Sequence, residues 1–200
     1  MPRTPLLRPR AYAESHDARP RLALGLLVGA GTLHVALFLA TAWLFAGAVG
    51  LDPSGTLADG ALVPATALFA SLLAGWLIEA GVLHLLVCYL GDGSGSVGDT
   101  LSVAGWGAVP DAVTALGSTA LVWRSLDPVS LPTVPGPLLA QARSVVDAAL
   151  VSEPLLVLAA AAWTVAIWGL GLAERHGVPT TGAYLFAGLV AGVRVVMAMG

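Results

Sequence analysis

Long apolar runs constrain this chain more than any other feature of its sequence. Several windows reach or approach the ~20 apolar residues that a helix needs to cross ~30 Å of hydrocarbon. Hydrophobic residues make up 57% of the sequence and charged residues only 10%, whereas soluble domains carry roughly 25% charged residues. So few charges cannot cover a water-facing surface, and the sequence therefore predicts an integral membrane protein.

The pattern of polarity favours helices over strands. Membrane-spanning strands are segments of ~10 residues that alternate between apolar and polar, and we find no such segments in the sequence. We therefore predict an all-α polytopic membrane protein, a bundle of about five transmembrane helices. The predicted helices cover about 22–48, 61–90, 99–123, 154–173 and 178–199.

Two polar segments lie outside these helices. Residues 1–21 form a Pro/Arg-rich tail, and the apolar run that follows is far longer than the 7–15 residues of a signal-peptide core. We therefore expect an uncleaved first helix behind a cytoplasmic tail. Residues 22–200 form one membrane domain, from which the segment 124–153 emerges as a Pro-rich stretch and an amphipathic helix at the interface.

The arginines predict an orientation. Five of the nine basic residues lie in the tail and Arg175 lies before the last helix, whereas the loop 49–60 contains Asp52 and Asp59 but no base. Basic residues favour the cytoplasmic side. We expect a cytoplasmic N-terminus, a C-terminus on the opposite side, and a location in the cell membrane of a prokaryote. Arg194 is expected to extend towards the interface.

Two carboxylates lie inside predicted helices, although a charge costs ~3 kcal/mol at the bilayer centre on insertion scales. Glu79 shares a helical stripe with Ser71 and Gly75, and that stripe should face the bundle. The second stripe contains Gly107, Asp111, Thr114 and Ser118. Structural hydrogen bonding and ion or proton transport are both compatible with these positions. Pro110 beside Asp111 frees the carbonyl of Trp106 and predicts a kink.

His84 is the third candidate polar residue within the membrane, and it shares a helical face with Cys88. A metal site that also uses His34 is geometrically feasible, but no carboxylate or second cysteine is placed to complete it. We therefore predict no metal site and no cofactor. Two GxxxG pairs, Gly25 with Gly29 and Gly188 with Gly192, predict close helix packing.

Motifs for catalysis and for nucleic-acid binding are missing from the sequence. It contains no HExxH, and the Gly-rich connector GDGSGSVGD lacks the Lys and Ser/Thr of a P-loop. No serine has a visible elbow or base. We therefore predict no catalytic residue and no enzymatic activity. Outside the tail there is no basic patch for nucleic acid.

Three segments give the chain a resemblance to a known family. They are LLRPRAYAES before the first helix, HLLVCYLGDGSGSVGDTLSVAGWGAVPD at the centre, and WGLGLAERHGVPTTGAYLFAGLVAGV near the end. The chain resembles the Yip1 domain family in its prokaryotic form, with Val97 where Phe is commoner. The resemblance implies five membrane helices, which agrees with the number reached from the apolar runs.

The resemblance also implies a type of function. Eukaryotic members of the family lie in early secretory membranes and interact with prenylated Rab-type GTPases, but no residue here matches a GTPase-contact motif. We expect a membrane-organising or protein-interaction scaffold whose partners are the lipid bilayer, an unidentified membrane or cytoplasmic protein, and further copies of itself. The competing hypothesis is a small transporter or channel subunit that uses Glu79 and Asp111.

Overall fold

The computed structural model describes residues 20–48, 52–56, 60–126, 144 and 153–199, so most of the predicted tail and of the segment 124–153 lies outside the described residues. Within the described residues the chain is helical and contains no strand, which confirms the predicted all-α class. The helices are α1 Pro20–Ala48, α2 Pro53–Thr56, α3 Leu62–Leu85, α4 Val97–Trp106, α5 Ala108–Leu126, α6 Glu153–His176 and α7 Thr180–Met199. A π-helical turn, Leu86–Leu90, extends α3.

Four helices of the described chain are long and apolar enough to cross a membrane: α1, α3 with its π turn, α6 and α7. Helices α4 and α5 lie in sequence where the fifth predicted span was expected. Large apolar side chains cover the outside of the bundle, and Leu77, Ile78 and Leu185 are each more than half exposed. Such a surface is stable in hydrocarbon rather than in water. The protein is therefore a polytopic membrane protein, as predicted.

The third predicted helix is interrupted at Gly107. The sequence predicted one kinked helix over 99–123, and the structure instead has α4 and α5 joined by a turn. The amide of Gly107 donates to the carbonyl of Ala104 at 3.0 Å. Pro110 has no amide hydrogen for the carbonyl four residues earlier, which is the reason a break was expected here.

Gly107 also allows a close contact in the core. A methyl group at this position would lie 2.5 Å from the Nε1 atom of Trp168, a distance at which something must shift. The Trp168 side chain is fully buried, and its indole N–H donates to the carbonyl of Ala104 at 3.4 Å. Around it pack Leu83, Val103 and Leu172, so the core joins α3, α4 and α6 at the helix break.

Ser96 is the N-cap of α4. The hydroxyl of Ser96 accepts a hydrogen bond from the amide of Asp99, and the carboxylate of Asp99 accepts one from the amide of Ser96. This reciprocal pair is a capping box. Helix α2 was missed by the sequence analysis, although Asp52 before Pro53 is a recognisable start signal.

The predicted glycine packing is not seen between the described helices. A methyl group built on Gly25, Gly29, Gly188 or Gly192 would have no atom within 4 Å apart from the backbone of its own helix. Close approaches lie at other glycines, among them Gly105, where a methyl group would be 2.5 Å from Ala23, and Gly107 against Trp168.

Candidate functional site

Three helices contribute to one charge cluster inside the bundle. Glu79 lies on α3, Asp111 on α5 and Arg194 on α7. The Nε atom of Arg194 lies 3.0 Å from Glu79 Oε1, and one of its terminal nitrogens lies 2.6 Å from Asp111 Oδ2. The exposed fractions of the three side chains are 21%, 31% and 34% for Glu79, Asp111 and Arg194, respectively. The two predicted intramembrane carboxylates thus share one guanidinium.

The position of Arg194 differs from the one predicted from the sequence. The side chain does not extend alone towards the membrane interface but pairs with both carboxylates. The difference has a physical cause. Snorkelling is favourable when a charge has no partner in the membrane, whereas a guanidinium between two carboxylates forms charge-assisted hydrogen bonds that replace water.

The two predicted polar stripes do face the interior. A cavity of about 540 Å³ lies between α1, α5, α6 and α7, and Asp111, Thr114, Ser118 and Arg194 line it. A second cavity of about 190 Å³ is lined by Ser71, Gly75, Glu79 and Gly107, together with Asp111 and Arg194. Asp111 and Arg194 therefore border both cavities, and Glu79 borders the smaller one.

One residue that lines each cavity also has a buried polar atom without a partner in the described part of the chain. These atoms are the hydroxyl of Thr164, a residue of the larger cavity, and the indole nitrogen of Trp76, a residue of the smaller one. His34 borders both cavities, and its Nδ1 lies 2.8 Å from the carbonyl of Ala30 on its own helix. Both cavities are therefore lined by polar as well as apolar side chains.

His84, the third predicted polar residue, lies apart from the charge cluster. Its Nδ1 lies 3.0 Å from the hydroxyl of Thr100 on α4, and that hydroxyl lies 2.9 Å from Nε2 of His176 at the end of α6. The centroids of the two imidazole rings are 5.7 Å apart. The structure therefore divides the predicted residues between two sites, one with Glu79 and Asp111 and one with His84.

The Gly-rich connector packs directly against His176. The amide of Ser94 donates to the carbonyl of His176 at 3.1 Å. A methyl group on Gly95 would lie 2.6 Å from Nδ1 of His176, so a larger residue does not fit there without a shift. The sequence analysis treated this stretch only as a helix connector. Its repeated glycines were the signal that the backbone approaches another group closely.

An all-helical bundle with charged residues inside its membrane-spanning helices defines a polytopic membrane protein. The family comparison is more specific: the model of the Yip1 domain matches residues 4–200. The chain therefore belongs to the Yip1 domain family, as its sequence motifs suggested. No curated protein and no solved structure matches the chain.

Proposed function

We propose that this protein is a membrane-organising or protein-interaction scaffold without catalytic activity. The observation that carries the proposal is the shared ion pairing of Glu79 and Asp111 with Arg194. Both intramembrane carboxylates are engaged in holding α3, α5 and α7 together. Membership of the Yip1 domain family supports this type of protein.

The energetics favour a structural use of the cluster. An ionised side chain alone in the bilayer is costly, and such groups usually pair with one another inside a bundle. Here one guanidinium reaches carboxylates on two other helices, so the pairing fixes the relative position of three helices. A transport site binds and releases an ion or a proton in each transport cycle, so its side chains need weaker partners that can exchange.

A small transporter or channel subunit is the second candidate. Two carboxylates and one guanidinium leave a formal charge of −1 in the cluster when both acids are ionised. This excess charge could attract a proton or a cation. Asp111 and Arg194 also line the cavity of about 540 Å³, as does Thr164, whose buried hydroxyl has no partner among the described residues.

The isosteric variants Glu79→Gln and Asp111→Asn separate the two functions. Each variant would be purified in detergent for unfolding measurements and reconstituted in vesicles for proton and cation flux. The scaffold proposal predicts no flux through the wild-type protein and reduced stability in both variants. Wild-type flux that disappears in variants of normal stability would overturn the scaffold proposal and establish transport.

A scaffold must also have a partner. We propose that the protein lies in the cell membrane of a prokaryote and that its tail 1–21 lies in the cytoplasm. The tail contacts a membrane or cytoplasmic protein or another copy of the chain. Photo-crosslinking residues placed in the tail should give defined covalent adducts with the partner in cells. As the control, a chain with a scrambled tail sequence should not form those adducts. A cysteine introduced in the tail of a Cys88→Ser protein should react with membrane-impermeant maleimide only after the cells are lysed.

A further inference from the structure

The junction of α3, α4 and α6 carries a group of side chains that the scaffold function does not use. His84 and Cys88 come from the end of α3 and its π turn, and His176 ends α6. One ligand atom from each residue lies within 4.8 Å of the other two. Cys88 Sγ is 3.7 Å from both ring nitrogens of His84. The three residues thus bring two imidazoles and one thiol together.

The burial of His176 supports a ligand at this junction. The residue is 1% exposed, and its Nδ1 has no hydrogen-bond partner among the described residues. A buried nitrogen without a partner is unfavourable, because it has lost its hydrogen bonds to water. The other nitrogen, Nε2, lies beside the hydroxyl of Thr100. His176 therefore retains one buried ring nitrogen that no described residue uses, whereas His84 and Cys88 are partly exposed.

The backbone at Cys88 is a second, independent observation. Cys88 lies in the π-helical turn Leu86–Leu90, and such turns inside helices frequently occur at functional sites. The connector then folds back, because the amide of Gly93 donates to the carbonyl of Val87 at 3.0 Å. This return brings Gly95 against His176 and closes the junction on one side.

The set of donors selects the class of metal. Imidazole and thiolate ligands suit zinc, whereas magnesium and calcium prefer oxygen. Zinc sites are commonly tetrahedral, and three protein ligands leave one position for water or an external group. Metal-bound histidines usually hold their second ring nitrogen in a hydrogen bond to an outer partner. Thr100 lies next to both imidazoles, where it can supply that bond.

We propose that His84, Cys88 and His176 form a zinc-binding site that fastens the end of α3 to the end of α6. The competing interpretation is a hydrogen-bonded chain from His84 through Thr100 to His176, with Cys88 as a bystander. The two interpretations differ in the role of Cys88. Only a zinc site needs its thiolate.

Zinc content and affinity provide the test. The full chain, purified in detergent without a polyhistidine tag, should contain one zinc ion per chain by elemental analysis. Competition with a chromophoric chelator should show zinc binding that Cys88→Ser or His84→Gln weakens at least about tenfold, since even loss of an outer partner costs roughly 10–100-fold. His34→Gln is the matched control, because His34 lies on α1 outside the cluster, and should bind zinc like the wild type.

Cobalt provides a readout on the wild-type protein itself. Co²⁺ added to the wild-type protein should give the near-ultraviolet absorption of a thiolate–cobalt bond. Wild-type protein that binds no zinc, or that binds cobalt without thiolate absorption, would overturn the proposal. Equal zinc affinity in the wild type and in a folded Cys88→Ser variant would also overturn it.

Discussion

The carboxylate of Asp111 lies 2.6 Å from the guanidinium of Arg194, although the two residues belong to different helices of the bundle. The same guanidinium reaches Glu79 at 3.0 Å, so one cation connects three helices. In a membrane, where water cannot replace a lost partner, this connection should contribute more to stability than a comparable ion pair on a soluble surface.

Replacing Arg194 should therefore destabilise the bundle. Arg194→Gln leaves two carboxylates without their shared cation, and breaking a fully buried pair costs roughly 3–5 kcal/mol. We expect a loss above ~1 kcal/mol but below that range, because about a third of the Arg194 side chain is exposed. Unfolding in mixed detergent micelles measures the change. The exposed Arg124 is the control, and Arg124→Gln should change stability by less than ~0.5 kcal/mol.

Removing all the charges together should restore part of the loss. The triple variant Arg194→Met, Glu79→Gln, Asp111→Asn has no unpaired ion in the bundle, and such replacements of buried ion pairs are often neutral. The triple variant should therefore be more stable than Arg194→Gln in the same unfolding measurement. A triple variant that is less stable than the single variant would show that the cluster does not act as one unit.

A methyl group at the helix break should be poorly tolerated. Gly107→Ala places a carbon 2.5 Å from the indole nitrogen of Trp168, and overpacking of this kind costs about 1–3 kcal/mol. Gly188→Ala on α7 adds the same methyl group in open space and should cost nothing measurable. In detergent, the midpoint of thermal unfolding should therefore be lower for Gly107→Ala than for Gly188→Ala. Equal midpoints would mean that the α4–α5 break does not depend on the missing side chain.

The capping box at the start of α4 should contribute measurably to stability. Ser96→Ala removes the acceptor for the Asp99 amide and should cost ~1 kcal/mol, as N-cap replacements typically do. Ser71→Ala is the matched control, because the Ser71 hydroxyl donates to the carbonyl of Leu68 within its own helix and caps no helix end. Unfolding midpoints again measure the difference. A Ser71 variant as unstable as the Ser96 variant would contradict the assignment of the effect to the cap.

The turn at Asp52 should respond to acid. Hydrogen bonds from the Ser54 hydroxyl, and then from the amides of Gly55 and Ser54, lower the pKa of Asp52 in the folded turn. A group with a lowered pKa stabilises the fold above its ordinary value, about 3.9 for Asp, and this contribution disappears as pH falls through the lowered pKa. NMR titration of the Gly55 amide should therefore show its transition below pH ~3.9. Ser54→Ala should move that transition upward, and an unchanged transition would contradict the stated cause.

Local sequence signals predicted much of the fold because each of them acts over a few residues. Apolar runs located the four long membrane helices of the described chain, and Pro110 located the interruption of the third predicted helix within a few residues. Glu79 and Asp111 were correctly assigned to inward stripes, because periodicity along a helix shows which residues share a face. The match to the Yip1 domain followed the motifs in the same way.

The partners of those residues depended on tertiary structure. Periodicity does not say which helix lies opposite a stripe, so the sequence could not show that Arg194 faces both carboxylates or that His176, rather than His34, joins His84 and Cys88. The GxxxG pairs failed for the same reason, since small residues permit a close approach but do not require one. By itself the sequence determined a helical membrane protein of the Yip1 type. Only the packing of the helices decided which charges and ligands meet, because helix rotation and crossing are set by contacts between segments far apart in the chain.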